Sequence, residues 1–216
     1  MATFALITEG VTDQIILERM IEQICGEDDV DINPLQPLRD ATDAKAAPHA
    51  GWELVFEYCK EGAADALAAN DYVVIHLDTD QGDHPNFGVP LTFGGVDRHY
   101  NDLIADATAA IITRLDGALY RAHADRFLFA ISVHSMESWL LLCLFDRDEP
   151  KNSNDRLNRA LSKRNQDPLM KEVRAYQRIA GGIKRKKLVQ LSRKKNSLGR
   201  FLVQLVTITD ARVEEI

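Results

Sequence analysis

Residues 72–80 read YVVIHLDTD, and this stretch decides the architecture. Its first six positions are β-branched, aromatic or aliphatic apart from His76, as in a buried strand. The run then ends on two carboxylates, Asp78 and Asp80. Two other stretches have the same form. Residues 4–8 (FALIT) run into a turn at Glu9-Gly10, and residues 127–133 (FLFAISV) run into His134-Ser135-Met136-Glu137. Helical patterns separate them. Thr12 and Asp13 open one in which Ile15, Ile16, Met20, Ile21 and Ile24 recur at helical spacing, with Gly26 as its stop. A second, over residues 52–70, aligns Trp52, Phe56, Cys59, Ala63 and Leu67. A third, over 97–119, aligns Tyr100, Ile104, Ala107, Ile111 and Leu115, and a short one follows over 138–144. Residues 31–38 read as a strand weakened by two prolines, and 81–95, rich in Gly, Pro and Asp, as a loop. Strands alternating with helices predict an α/β fold with a mostly parallel sheet covered on both faces.

The charge is distributed unevenly. Residues 1–150 hold 27 Asp/Glu against 9 Lys/Arg, whereas residues 151–209 hold 3 against 16, with no acidic side chain from residue 173 to 209. Such asymmetry implies an acidic region suited to cations and a basic one suited to a polyanion. The polar stretch 146–154, containing Pro150, marks a junction. It divides a domain at residues 1–147 from a basic, mainly helical subdomain at 148–216, in which only residues 201–208 carry a strand signal. A hydrophobic share of 45% beside 27% charged residues is that of a globular protein. No apolar run approaches the roughly 18–20 residues that span a bilayer, so no membrane partner is expected. The N-terminus lacks the basic start and cleavage site of a signal peptide. Cys25, Cys59 and Cys143 are odd in number and widely spaced, which argues against a disulfide framework or zinc site and for reduced thiols in the cytoplasm.

Parallel strands end on one edge, so Glu9, Asp78, Asp80 and Glu137 should gather there despite their separation in sequence, with Asp13 one helical turn beyond Glu9 pointing back. Carboxylates at close range raise one another's pKa and cannot all ionise without a cation. Ligation by oxygen alone suits Mg²⁺ or Mn²⁺. Acidic residues also cap helix N-termini, and Asp13 fits that role as well. A lone D-x-D is a weak signal; its coincidence with carboxylates at two other strand ends is much stronger.

Glu9-Gly10-x-x-Asp13 after the first strand, Asp78-x-Asp80 after a later one and Glu137 after the last resemble a Toprim domain, over about residues 3–145. That Rossmann-like fold is shared by topoisomerases, bacterial primases and OLD-family nucleases, and SVHSMESWLLL (132–142) also resembles a stretch of small Toprim-like proteins. The resemblance implies a Mg²⁺-dependent reaction at a phosphodiester, with one or two ions. Glu9 would be a metal ligand or acid/base group, Asp78 and Asp80 metal ligands, and Asp13 and Glu137 ligands of a second ion, with Ser135 assisting. Topoisomerases and primases need large additional domains, so nuclease action on DNA or RNA fits best, with phage defence as a setting implied by the resemblance. OLD-type enzymes commonly carry an ATPase; no G-x-x-x-x-G-K-[ST] occurs here, so an ATPase would be a separate partner. The rival reading is a regulatory Toprim-like subunit that depends on such a partner. A haloacid-dehalogenase-type phosphatase would place its D-x-D after the first strand, with Thr or Val where Gly82 stands.

Lys184, Arg185, Lys186, Lys187, Arg193, Lys194 and Lys195 are the candidate nucleic-acid contacts, against the plainer reading of a solvated helix face. OLD-like nucleases use a lysine near the scissile phosphate, and Lys184 and Lys187 are candidates. Inside its strand, His76 reads as structural; His84 and His99 flank the loop; His134 lies near the acidic edge. Trp139 is expected to pack in the core.

Overall fold

The computed structural model describes residues 1–39 and 51–214, with side chains through residue 211. Four strands, β1 (Ala2–Ile7), β2 (Val30–Gln36), β3 (Tyr72–Asp78) and β6 (Phe127–Ser132), pair in parallel in the order β2-β1-β3-β6. The fold is therefore α/β and Rossmann-like. Its chain steps from β1 outward to β2, then back across β1 to β3, so the strand order reverses between β1 and β3. In open parallel sheets the crevice beyond such a switch point is where ligands bind.

Alternate side chains of each strand enter opposite cores. Phe4, Leu6 and Val74 face one layer, made by α1 (Val11–Cys25), α6 (Met136–Phe145) and four C-terminal helices: α7 (Ser153–Ser162), α8 (Val173–Ala180), α9 (Arg185–Leu191) and α10 (Ser197–Glu214). Ala5, Ile7, Val73, Ile75 and Leu77 face the other, under α2 (Trp52–Glu61), α3 (Ala63–Ala69) and α4 (Tyr100–Ile112). Helix α6 is apolar all round because it is enclosed: Trp139, Leu140 and Leu141 have essentially no exposure, and the Trp139 ring stacks on Phe201 at 5.6 Å.

Residues 201–208, which carry a strand signal in the sequence, are instead part of helix α10. Leu198, Phe201, Leu202, Leu205 and Ile208 recur at helical spacing and all enter the core of the α1 layer. Tertiary packing overrides their β-branched neighbours. Apolar residues of α7–α10, within the stretch 148–216 read from sequence as a subdomain, lie in one cluster with α1 and the sheet. The helix expected over 52–70 breaks at Gly62 into α2 and α3. The one expected over 97–119 comprises α4, capped by His99, and α5 (Gly117–His123). Asp116 ends the periodicity between them by accepting bonds from the N–H groups of Ala118 and Leu119. Within the expected loop a two-residue-per-strand hairpin forms, β4 (Thr92–Phe93) against β5 (Val96–Asp97), turned by Gly94 and Gly95 at φ 58° and 77°. Strand β2 accommodates Pro34 because it lies at the sheet edge. Among the described residues no helix is long and apolar enough to cross a membrane.

Candidate functional site

The carboxyl ends of β1, β3 and β6 carry the acidic residues, and backbone bonds between their loops hold the edge together. The Asp78 N–H donates to Glu9 Oε1 at 2.7 Å, joining the ends of β1 and β3. The Thr79 N–H donates to the Ser132 carbonyl and the Asp80 N–H to that of His134, both at 3.0 Å, while the His134 N–H donates to Thr79 Oγ1 at 2.8 Å. His134 takes a left-handed φ of 65° in this lacing. Asp13 stands in the first turn of α1, 8% exposed, and its N–H donates to the Gly10 carbonyl at 3.2 Å.

His76, read from sequence as structural, sits inside this constellation. It is fully buried, with Nε2 3.0 Å from Ser132 Oγ and 3.3 Å from Asp78 Oδ1, and Nδ1 4.0 Å from Asp13 Oδ2. Neither His76 Nδ1 nor Asp78 Oδ1 has a hydrogen-bond partner. Buried polar atoms are rarely left so.

Glu137 is 5% exposed and lies in the first turn of α6, which begins two residues earlier than the periodicity predicts. Its two oxygens accept from hydroxyls: Tyr176 of α8 on Oε1 and Ser135 on Oε2, each at 2.5 Å, with Ser153 Oγ 2.9 Å from Ser135 Oγ. Charge-assisted bonds of this kind are short and strong.

Four of these carboxyls are raised by burial and by their acidic neighbours. Burial, then Asp78, pushes Glu9 up to about 8 against the opposing field of His76. Burial pushes Asp13 up to about 7, His76 again opposing and Asp78 and Glu137 assisting. Asp78 is raised well above the carboxylate range by burial, Glu137 and Asp80, with Lys171 opposing. Asp80 is raised by partial withdrawal from water and by Glu137, again against Lys171. The sheet edge therefore links these carboxylates electrostatically, and crowding leaves it short of positive charge. Among the described residues, however, no group of three or more His, Cys, Asp or Glu side chains stands in metal-holding geometry. The orphaned Asp78 oxygen and the all-oxygen donor set fit a hard divalent ion.

The basic run is placed differently from expectation. Lys184, Arg185, Lys186, Arg193, Lys194 and Lys195 are exposed. Arg185, however, is tied to α1: its N–H bonds Gln23 Oε1 at 3.0 Å, and its guanidinium bonds the carbonyls of Gln23 and Ile24 near the helix C-terminus. Lys187 pairs with Asp146 at 2.9 Å. Lys184 and Lys187 line a separate cavity of about 790 Å³ that includes none of the five carboxylates. The lysine whose charge reaches Asp78 and Asp80 is Lys171, from the loop before α8. Lys171 and Tyr176 carry no local motif; only the docking of α8 onto α1 brings them to the edge.

No family model matches the chain, and neither a curated protein nor a solved structure matches it.

Proposed function

We propose that the chain is a Mg²⁺- or Mn²⁺-dependent phosphodiesterase of Toprim type that hydrolyses DNA or RNA. The observation that carries the reading is the orphaned Asp78 Oδ1, buried among four further carboxylates at the strand-order reversal. The order of those carboxylates along the chain, Glu9 after the first strand and Asp78-x-Asp80 after the later one, supports the Toprim assignment. Glu9, Asp13, Asp78, Asp80 and Glu137 would hold the ion or ions. A bound divalent cation supplies Lewis acidity toward a phosphate oxygen and makes water more acidic.

The chain's own residues do the rest. The Asp78 N–H fixes one Glu9 oxygen and so aims the carboxylate across the switch point. Tyr176 and Ser135 hold Glu137 in one orientation as an acceptor. His76 partly offsets the negative field at Glu9 and Asp13. Lys171 offers positive charge on the side of Asp78 and Asp80, where a phosphate would approach.

A second reading has its own observation. The described carboxylates are not gathered into a ready-made cage, which favours a subunit whose site closes only on a partner such as a separate ATPase. The test is cleavage of supercoiled plasmid, single-stranded DNA and structured RNA with Mg²⁺ or Mn²⁺, by wild type and by Asp78→Asn and Glu9→Gln. Metal-dependent cleavage lost in both variants supports the enzyme; a folded wild type that cuts nothing alone moves the assignment to the partner-dependent subunit.

A further inference from the structure

Against the acidic edge lies a cavity of about 540 Å³ that none of the five carboxylates lines. Its walls come from the start of α4 (His99, Tyr100 and Leu103), from Val133 and His134 after β6, and from the segment leading into α7 (Pro150, Lys151). His134 is the shared wall. Its backbone bonds to Thr79 and Asp80 on one side while its residue lines the cavity on the other.

The lining has two kinds of surface. Leu103 and Val133 are buried and give an apolar floor. Tyr100 is half-buried, its ring 4.2 Å from that of His99, and lines the cavity over this floor. Arg98, Lys151 and Arg156 line it together with the carboxylates Asp97 and Glu149; the three cations pair with Asp106, Asp97 and Glu149 respectively. Exposed pairs hold their partners weakly, so Lys151, half-exposed, can turn to a phosphate at little cost, while Arg98 and Arg156 are also anchored by the Pro90 and Lys151 carbonyls. An apolar floor, an aromatic wall and a mixed-charge rim that offers Lys151 match a base, its sugar and its phosphate in turn.

We infer that this cavity is a subsite for one unpaired nucleotide beside the scissile phosphate, so that the substrate is single-stranded nucleic acid or a strand with an extruded base. The inference rests on the phosphodiesterase reading and narrows its substrate. The cavity's volume of about 540 Å³ accommodates one base with its sugar and phosphate, and stacking on Tyr100 needs a base face not already covered by its neighbours in a duplex. A duplex could offer a nucleotide here only by flipping it out, at the cost of unstacking.

The test is equilibrium binding of a short fluorescein-labelled single strand, and of the same sequence as a blunt duplex, to full-length Asp78→Asn protein in Mg²⁺. Tyr100→Leu and Tyr100→Phe are added to that background, with folding checked by thermal melting. The single strand should bind more tightly than the duplex. Tyr100→Leu should weaken single-strand binding by about 5- to 150-fold, the span of one lost base–aromatic stack, while Tyr100→Phe stays close to its parent. Duplex binding at least as tight as single-strand binding overturns the inference, as does a folded Tyr100→Leu protein that binds the single strand unchanged. Failure of the hydrolase reading looks different: wild type then cuts neither form, yet Tyr100→Leu still loses single-strand affinity.

Discussion

Replacing Asp13 by Asn removes a charge but keeps the shape of the side chain. In the fold this carboxyl is pushed from its ordinary 3.8 up to about 7, chiefly by burial. Each tenfold change in proton affinity is worth about 1.4 kcal/mol, so ionising Asp13 inside the fold costs on the order of 4 kcal/mol at most. Neighbouring carboxylates relax by taking up protons, which leaves a net gain for Asp13→Asn of about 1–3 kcal/mol above pH 7. Below the ordinary carboxylate range Asp13 is protonated in both folded and unfolded chains, and the variant gains nothing. As pH rises from about 4 toward 7, the unfolded chain releases this proton first and the wild type loses stability relative to the variant. Above 7 the gap is constant. In a chain of this size the gap corresponds to a Tm higher by about 3–10 °C for the variant at pH 8 without divalent cation. Saturating Mg²⁺ should raise the wild-type Tm more than that of the variant, because the ion stabilises only a site that holds it. The assay is differential scanning fluorimetry from pH 5 to 8, with and without Mg²⁺. An Asp13→Asn protein that is destabilised equally at both ends of the range refutes the reasoning and makes Asp13 a helix cap alone.

Three other outcomes follow from particular contacts. Tyr176→Phe removes the hydroxyl that donates to buried Glu137 and should lower stability by about 1.5–3 kcal/mol in denaturant unfolding, with a larger proportional loss of cleavage than of substrate affinity. Phe201→Ala should cost about 3–5 kcal/mol and shift one cooperative transition, because Phe201 packs with Trp139 in the core shared by α1 and the sheet; a separate transition for the C-terminal helices would contradict that shared core. The thiols of Cys59 and Cys143, pushed up to about 12 by burial, should resist a thiol-reactive disulfide reagent at pH 8 in native protein and react after unfolding.

The three strands that reach the acidic edge were legible because each is a short apolar run with an abrupt polar end, and their parallel direction alone gathers Glu9, Asp78, Asp80 and Glu137. The helix over residues 201–208 was not, since β-branched Val203, Val206, Thr207 and Ile208 mask a helical spacing that becomes decisive only when Phe201 and Leu205 meet α1. His76 is buried against Ser132, as a structural residue would be, and its nearness to the carboxylates is hidden from the sequence for a related reason. A histidine inside an apolar strand looks structural, and its position between Asp13 and Asp78 depends on where α1 returns over the sheet. The basic run drew attention by its density, yet Arg185 and Lys187 are engaged with Gln23, Ile24 and Asp146. Lys171, whose charge favours ionised Asp78 and Asp80, stands outside the dense run, and no spacing rule could single it out.

The central claim is that the carboxylates at the strand-order reversal hold a divalent cation. Calorimetric titration of Mn²⁺ into the full-length protein at pH 8 tests it most directly, alongside Asp78→Asn and Glu9→Gln. Saturable binding of one or two ions by the wild type, lost or strongly weakened in both folded variants and accompanied by proton release, is the predicted result. Absence of saturable binding, or equal binding by wild type and variants, would contradict the account.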